Sequence, residues 1–146
     1  GELNDESNLT IRTSIIGPEL KENGEGLFHW FMKQKGNVNG YKSNFWSGVT
    51  TLELAKFIDW EIENPLVGLI HLTNNEAISK FNLLHIFNNV YDKNITILDE
   101  KDYECNKSFI TTNKEINYIV PSYVKMLEEQ KNFMLQHKGF YEKNYF

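Results

Sequence analysis

Residues 9–18, Leu-Thr-Ile-Arg-Thr-Ser-Ile-Ile-Gly-Pro, constrain the fold more than any other stretch of the chain. Leu9, Ile11, Thr13 and Ile15 fall on one side of an extended backbone and Thr10, Arg12 and Ser14 on the other. β-Branched residues dominate, so the segment reads as a strand, stopped sharply by Gly17-Pro18. Farther on, Val67-Gly-Leu-Ile-His-Leu-Thr73 is a near-continuous apolar run, the pattern of a strand covered on both faces, and a helical pattern lies between the two. Together they predict a βαβ unit. In open parallel sheets ligands bind beyond the carboxyl ends of the strands, which directs attention to residues 13–19.

The rest of the chain reads as alternating short elements. Residues 1–8 are polar and are expected to fray. Gly24 and Gly26 frame a loop before an aromatic helix at about Leu27 to Lys35, in which Leu27, Phe28, Trp30 and Phe31 compete for burial, with Gly36 as its stop. Residues 37–49 read as short strands and turns. Thr50 and Glu53 have capping-box spacing and open a helix whose predicted inner face is Leu54, Ala55, Ile58 and Ile62, ended by Asn64-Pro65. Ser79 caps a second amphipathic helix with Leu83, Leu84, Phe87, Val90 and Tyr91 at helical spacing. Residues 95–98 suggest a strand, and 99–118 are polar with unplaced aromatic islands. Pro121-Ser122 starts a last helix running to about Lys138. Residues 140–146 are aromatic without a clear period and are expected to form a flexible end. With no repeat and no linker, residues 1–146 read as one domain.

Composition narrows the class. At 146 residues, 40% apolar and 14% aromatic, the chain can bury a modest core and is not disordered. A net charge of −5, with Arg12 the single arginine, offers no basic stripe for nucleic acid and no polybasic membrane patch. No run is long enough to span a bilayer and no signal peptide is visible, so the cytoplasm is the expected compartment. Cys105 alone builds neither a disulfide framework nor a metal cluster.

Five segments, taken in order, carry a resemblance: Ile11-Arg-Thr-Ser-Ile-Ile-Gly-Pro18, Trp46-Ser-Gly-Val-Thr-Thr-Leu-Glu-Leu-Ala-Lys56, Gly68-Leu-Ile-His-Leu-Thr73, Ile78-Ser-Lys-Phe-Asn-Leu-Leu84 and Val120-Pro-Ser-Tyr123. Over roughly residues 9–135 the chain resembles the C-terminal half of an extended short-chain dehydrogenase/reductase. It is most similar to the dTDP-4-dehydrorhamnose reductase group and related sugar-nucleotide reductases. The resemblance implies the C-terminal part of a Rossmann-type parallel sheet with a small α/β substrate-binding lobe. It also implies that the Gly-rich dinucleotide turn and the Tyr-x-x-x-Lys pair belong to an N-terminal half absent from this sequence.

On that resemblance Thr13, Ser14, Ile15 and Ile16 lie beside the nicotinamide ring of NADP or NAD, a cofactor bound mainly by the absent half, where hydride transfer needs a dry apolar wall. Arg12 points the other way and reads as a tie to a neighbouring loop. Gly17, Pro18, Glu19, Trp46, Ser47, Gly48 and Val49 are the implied substrate contacts, since a glycine beside a tryptophan lets backbone approach a ligand while the indole offers a flat face. Glu19, Trp30, Gln34 and Lys42 lie on the implied substrate side. The implied activity is reduction of a keto-deoxysugar nucleotide in surface-polysaccharide precursor synthesis, with the fragment alone inactive. Alternatives are a non-catalytic nucleotide-sugar-binding or regulatory subunit of the same fold, or a sugar-nucleotide epimerase or dehydratase. Expected partners are the nucleotide sugar, the missing half and a second copy of the chain, with neither nucleic acid nor membrane.

Two features imitate chemistry. Tyr103 and Lys107 have the literal Tyr-x-x-x-Lys spacing but follow both strands in a stretch that is not helical in pattern, so the match reads as accidental. His71, inside an apolar strand with no second ligand at metal spacing, reads as a hydrogen-bonded core histidine.

Overall fold

The structure, a computed structural model, describes residues 2–3, 5–21, 23–101, 103–112 and 116–146. Parts of two expected segments, the flexible start (Gly1, Asn4) and the polar stretch 99–118 (Asp102, Asn113, Lys114, Glu115), lie outside the described residues.

The first strand is split. Strand β1 (Leu9–Arg12) runs parallel to β6 (Gly68–His71), with Leu9 opposite Gly68 and Arg12 opposite His71. Strand β2 (Ile15–Ile16) instead runs parallel to β5 (Val49–Thr50). The change of partner falls at Thr13-Ser14: Thr13 Oγ1 donates to the Leu72 carbonyl at 2.9 Å, and the Val49 N–H donates to the Ser14 carbonyl at 2.9 Å. A continuous pattern of β-branched residues conceals this switch, because each half is locally extended and only the partner differs.

Two further groups complete the sheet pieces. Strand β3 (Asn37–Tyr41) pairs parallel with β8 (Thr96–Glu100), and β4 (Asn44–Trp46) lies between β7 (Ile78–Ser79, antiparallel) and β9 (Cys105–Lys107, parallel). The helices are α1 (Leu27–Met32), α2 (Thr51–Glu63), α3 (Lys80–Val90), α4 (Tyr123–Gln136) and α5 (Lys138–Tyr145). The result is a mixed α/β fold built mainly on parallel pairings, as the sequence pattern predicts. Among the described residues the buried apolar side chains form one cluster, with Phe28, Phe31, Val49, Phe57, Leu83, Phe87, Leu127 and Met134 fully covered.

Helix starts follow the local code. Thr50 Oγ1 accepts from the Glu53 N–H at 3.1 Å, Ser79 Oγ from Asn82 at 3.1 Å, and Ser122 Oγ from Lys125 at 3.4 Å. The buried side of α3 is Leu83, Leu84 and Phe87, continued by Tyr91 at its cap, as expected.

Three expectations need correction. The inner face of α2 is Glu53 and Phe57, with Leu54 and Trp60 packed beside them, whereas Ile58 and Ile62 are 45% and 71% exposed and Ala55 faces outward. An aromatic group decides the rotation: the Phe57 ring meets Tyr118 edge-on at 5.2 Å and Trp60 at 5.8 Å, and the Tyr118 hydroxyl donates to Glu53 Oε1 at 2.7 Å. Secondly, the strand at 67–73 is only partly covered: Ile70 and Leu72 are buried but Val67 is 55% exposed. Thirdly, residues 140–146 are not a loose end. They continue into α5, where Tyr141 and Tyr145, one helical turn apart, pack on the core.

Candidate functional site

The carboxyl end of β2 opens into a cavity of about 370 Å³ lined by Ile15, Ile16, Gly17, Pro18, Glu19, Lys21, Glu25, Gly26, Leu27, Phe28 and Thr51. The position is the one that parallel-sheet topology predicts. Ile16 turns into the core at 6% exposure, while Ile15, 54% exposed, supplies an apolar wall. Gly17 brings the chain against the start of α2: a Cβ there would lie 2.2 Å from Thr51 Oγ1.

The far rim, residues 19–21 and 23–26, is arranged around one carboxylate. Glu19 accepts from the N–H groups of Gly26 and Glu25 and pairs with Lys21 Nζ at 3.5 Å. The Gly26 N–H, foremost, holds the Glu19 carboxyl below the usual carboxylate range. Behind this rim stands Tyr145. Its hydroxyl accepts from the Glu19 N–H at 2.7 Å, lies 3.3 Å from the Glu19 carbonyl, and bonds His29 Nδ1 at 2.7 Å, while burial pushes the phenol up from its ordinary pKa.

A second cavity, of about 190 Å³, shares Leu27 with the first in its lining, which also includes Trp30, Asn39, Tyr41, Lys80 and Leu84. Trp30 is 39% exposed here, and Tyr41 is held edge-on against Tyr103, ring centres 5.8 Å apart. An aromatic wall with an amide, a phenol and an ammonium at its edge suits a flat heterocycle attached to a charged group.

Of the residues that the resemblance implies, Ile15 to Glu19 line the first cavity and Trp30 the second. Thr13 and Ser14 form the strand switch behind it. The segment Trp46-Ser47-Gly48-Val49 is packed away from both. Ser47 is fully buried, donating to the Phe109 carbonyl at 3.0 Å and accepting from its N–H at 2.8 Å. Val49 is fully buried, and the Trp46 indole leans on Tyr123 at 5.8 Å. A Cβ on Gly48 would lie 2.1 Å from the Ser14 carbonyl oxygen and 2.5 Å from Trp46 Cζ2, so the close approach this glycine permits is to the chain's own β1–β2 switch.

Other side chains resolve simply. Arg12 ties the start of the chain down through Glu2, by Nε at 2.6 Å and by Nη2. Gln34 donates to the Trp30 carbonyl at 2.9 Å, and Lys42 pairs with Asp99 at 2.6 Å. Tyr103 and Lys107 do not form a helical pair, since Lys107 lies in β9. His71 is hydrogen-bonded through Nδ1 to the Ile110 carbonyl at 3.0 Å, but is only partly covered. Sequence reasoning missed Tyr145, His29, Tyr41 and Lys80. The four-residue spacing of Tyr141 and Tyr145 was the available signal for the first; for the others, tertiary placement alone brings them to the site.

The comparisons with known proteins define the class of fold first. No family model matches the chain, and no curated protein matches it by sequence. In three dimensions it has the Rossmann-like fold of part of the extended short-chain dehydrogenase/reductases. Among the solved structures it resembles are the dTDP-4-dehydrorhamnose reductase of Bacillus anthracis in complex with NADP (TM-score 0.68, 18% identity) and a GDP-L-fucose synthetase of Naegleria fowleri bound to NADP (0.61, 13%). A third is the UDP-N-acetylglucosamine 4-epimerase of Methanobrevibacter ruminantium in complex with UDP-N-acetylmuramic acid (0.54, 15%). They cover 86%, 90% and 88% of this chain but 48%, 45% and 46% of their own, so the chain spans about half their length.

Proposed function

We propose that this chain is the substrate-binding portion of an NAD(P)H-dependent reductase of a keto-deoxysugar nucleotide, of the kind that supplies surface-polysaccharide precursors. The single observation that carries it is a pair of cavities, one beyond the carboxyl end of β2 and one beside α1, β3 and α3, whose linings share Leu27. A nucleotide sugar has two unlike ends and needs two adjoining compartments: a polar one for the sugar, bounded by Glu19, Lys21 and Glu25, and an aromatic one for the base, bounded by Trp30 and Tyr41. Lys80, at the first turn of α3, supplies positive charge beside the second.

NADP or NAD would be held mainly by a dinucleotide-binding half outside this chain. No Gly-x-Gly-x-x-Gly turn occurs in the sequence, and the exposed apolar Ile15 at the cavity mouth fits one face of a nicotinamide ring. When bound, that cofactor supplies hydride. The residues of this chain orient the sugar, and the exposed Ile15 side chain excludes water from the reacting centre once a ligand covers it.

Titration of the 146-residue chain with dTDP-glucose, followed by NMR, tests the binding half. Shifts are expected at Leu27, Trp30 and Tyr41; their absence overturns the two-compartment reading. NADPH fluorescence is expected to report no specific site on the chain alone, and a micromolar site would place cofactor machinery here. Joined to its upstream reading frame, the protein is expected to oxidise NADPH with a 4-keto sugar nucleotide. Net epimerisation or dehydration without NADPH consumption would instead favour the epimerase or dehydratase alternative, and binding without turnover the non-catalytic subunit.

A further inference from the structure

Helix α5 is fastened to the cavity rim by more than packing. Tyr145 reaches Glu19 N at 2.7 Å, and Asn144 Nδ2 donates to the Glu19 carbonyl at 3.4 Å. The Tyr145 ring stacks on Phe28 at 5.6 Å with 23° between planes, and its hydroxyl also meets His29, buried at 1% exposure. Glu19 in turn gathers Glu25, Gly26 and Lys21 around its carboxylate, and Gly26 is the cap from which α1 departs. A polar chain therefore runs from the C-terminal helix to both the rim of the larger cavity and the start of the helix that divides the two.

We infer that α5 is a strap that sets the width of the ligand cavity, with Tyr145 as its positioning residue. This rests on the reading that the cavity beyond β2 receives the nucleotide sugar. Docking of α5 fixes the backbone of Glu19; Glu19 then fixes residues 25–26. Loss of the Tyr145 hydroxyl frees the rim without disturbing the core, because the rim is held through hydrogen bonds to that one hydroxyl and to Asn144, whereas the Tyr145 ring stays packed on Phe28 and α3 and α4 are held by burial.

Amide hydrogen exchange on the whole 146-residue chain, paired with affinity for dTDP-glucose, tests the strap. Tyr145→Phe keeps the stack on Phe28 and removes only the hydroxyl, so the protein stays folded. The amides of Glu19, Glu25 and Gly26 are expected to exchange about tenfold faster, with those of Leu83, Leu84 and Phe87 unchanged, and affinity to fall by about the same factor. Glu19→Gln is expected to loosen Glu25 and Gly26 while leaving the Glu19-position amide protected by Tyr145. Unchanged rim exchange in Tyr145→Phe, or a uniform rise that includes α3, would overturn the strap. If the wild-type chain binds no dTDP-glucose, the functional reading fails, and the exchange arm still decides the strap.

Discussion

Two segments flank the end of β2, and their difference is instructive. Residues 46–49 and residues 17–27 both look like ligand-contact loops, each with glycine beside bulky or charged neighbours. The first is filled from within: Ser47, Gly48 and Val49 are buried against the chain's own backbone. The second, at its described residues 17–21 and 23–27, stays open, its rim held by hydrogen bonds to Glu19 and Tyr145 that leave a cavity beside them. Glycine at close approach is thus equally a sign of a ligand or of another strand.

Substitution at Gly48 should break the contrast most forcefully. Gly48→Ala drives a methyl into the Ser14 carbonyl, and overpacking against backbone that cannot yield should cost about 3 kcal/mol in a denaturation midpoint series. A stability loss below about 1 kcal/mol would show the segment to be looser than its packing implies. Trp46→Ala comes next, at about 2–3 kcal/mol, below the roughly 3–5 kcal/mol of a fully buried tryptophan because the indole is only partly covered. The folded fraction is expected to bind dTDP-glucose normally; lost affinity at unchanged melting temperature would restore Trp46 to the ligand.

On the open side the effects on stability shrink while those on binding grow. Trp30→Ala should change stability by less than about 1 kcal/mol, since the ring is well exposed, yet weaken nucleotide-sugar binding by about 1–3 kcal/mol of lost stacking. Acid should act locally. Glu19 has a folded-state pKa below its unfolded one, so its contribution to rim order is complete above the ordinary glutamate range and is lost as pH falls through the lowered value. The Gly26 amide, followed by NMR, should lose protection over that window, and Glu19→Gln should remove the pH dependence. Smallest of all, Tyr103→Phe should leave stability, and the turnover that the proposed function assigns to the protein, at wild-type levels, because Tyr103 is 51% exposed and Lys107 lies in a strand. Loss of turnover there would move the chemistry into this chain.

How much was legible depended on the range of the interaction involved. Thr50, Ser79 and Ser122 could be read as caps because the donor each satisfies lies three residues away. The buried side of α3 followed from its own spacing. The rotation of α2 did not, because Tyr118, arriving from far along the chain, outweighs Ile58 and Ile62. In the same way the spacing of Tyr141 and Tyr145 permits a helix, but only the presence of Glu19 and His29 beside it turns that helix into a tether.

The sequence by itself determined the extended segments at 9–16 and 67–73, their parallel α/β class and the capped helices. All of these depend on backbone preference and periodicity within a few residues. Only the tertiary structure decided that the first strand changes partners at Thr13-Ser14, that Ser47 to Val49 are interior, and that the C-terminal helix reaches the Glu19 backbone. Strand partners, buried faces and tethers depend on which distant side chains arrive to fill a space, and that information is spread over the whole chain.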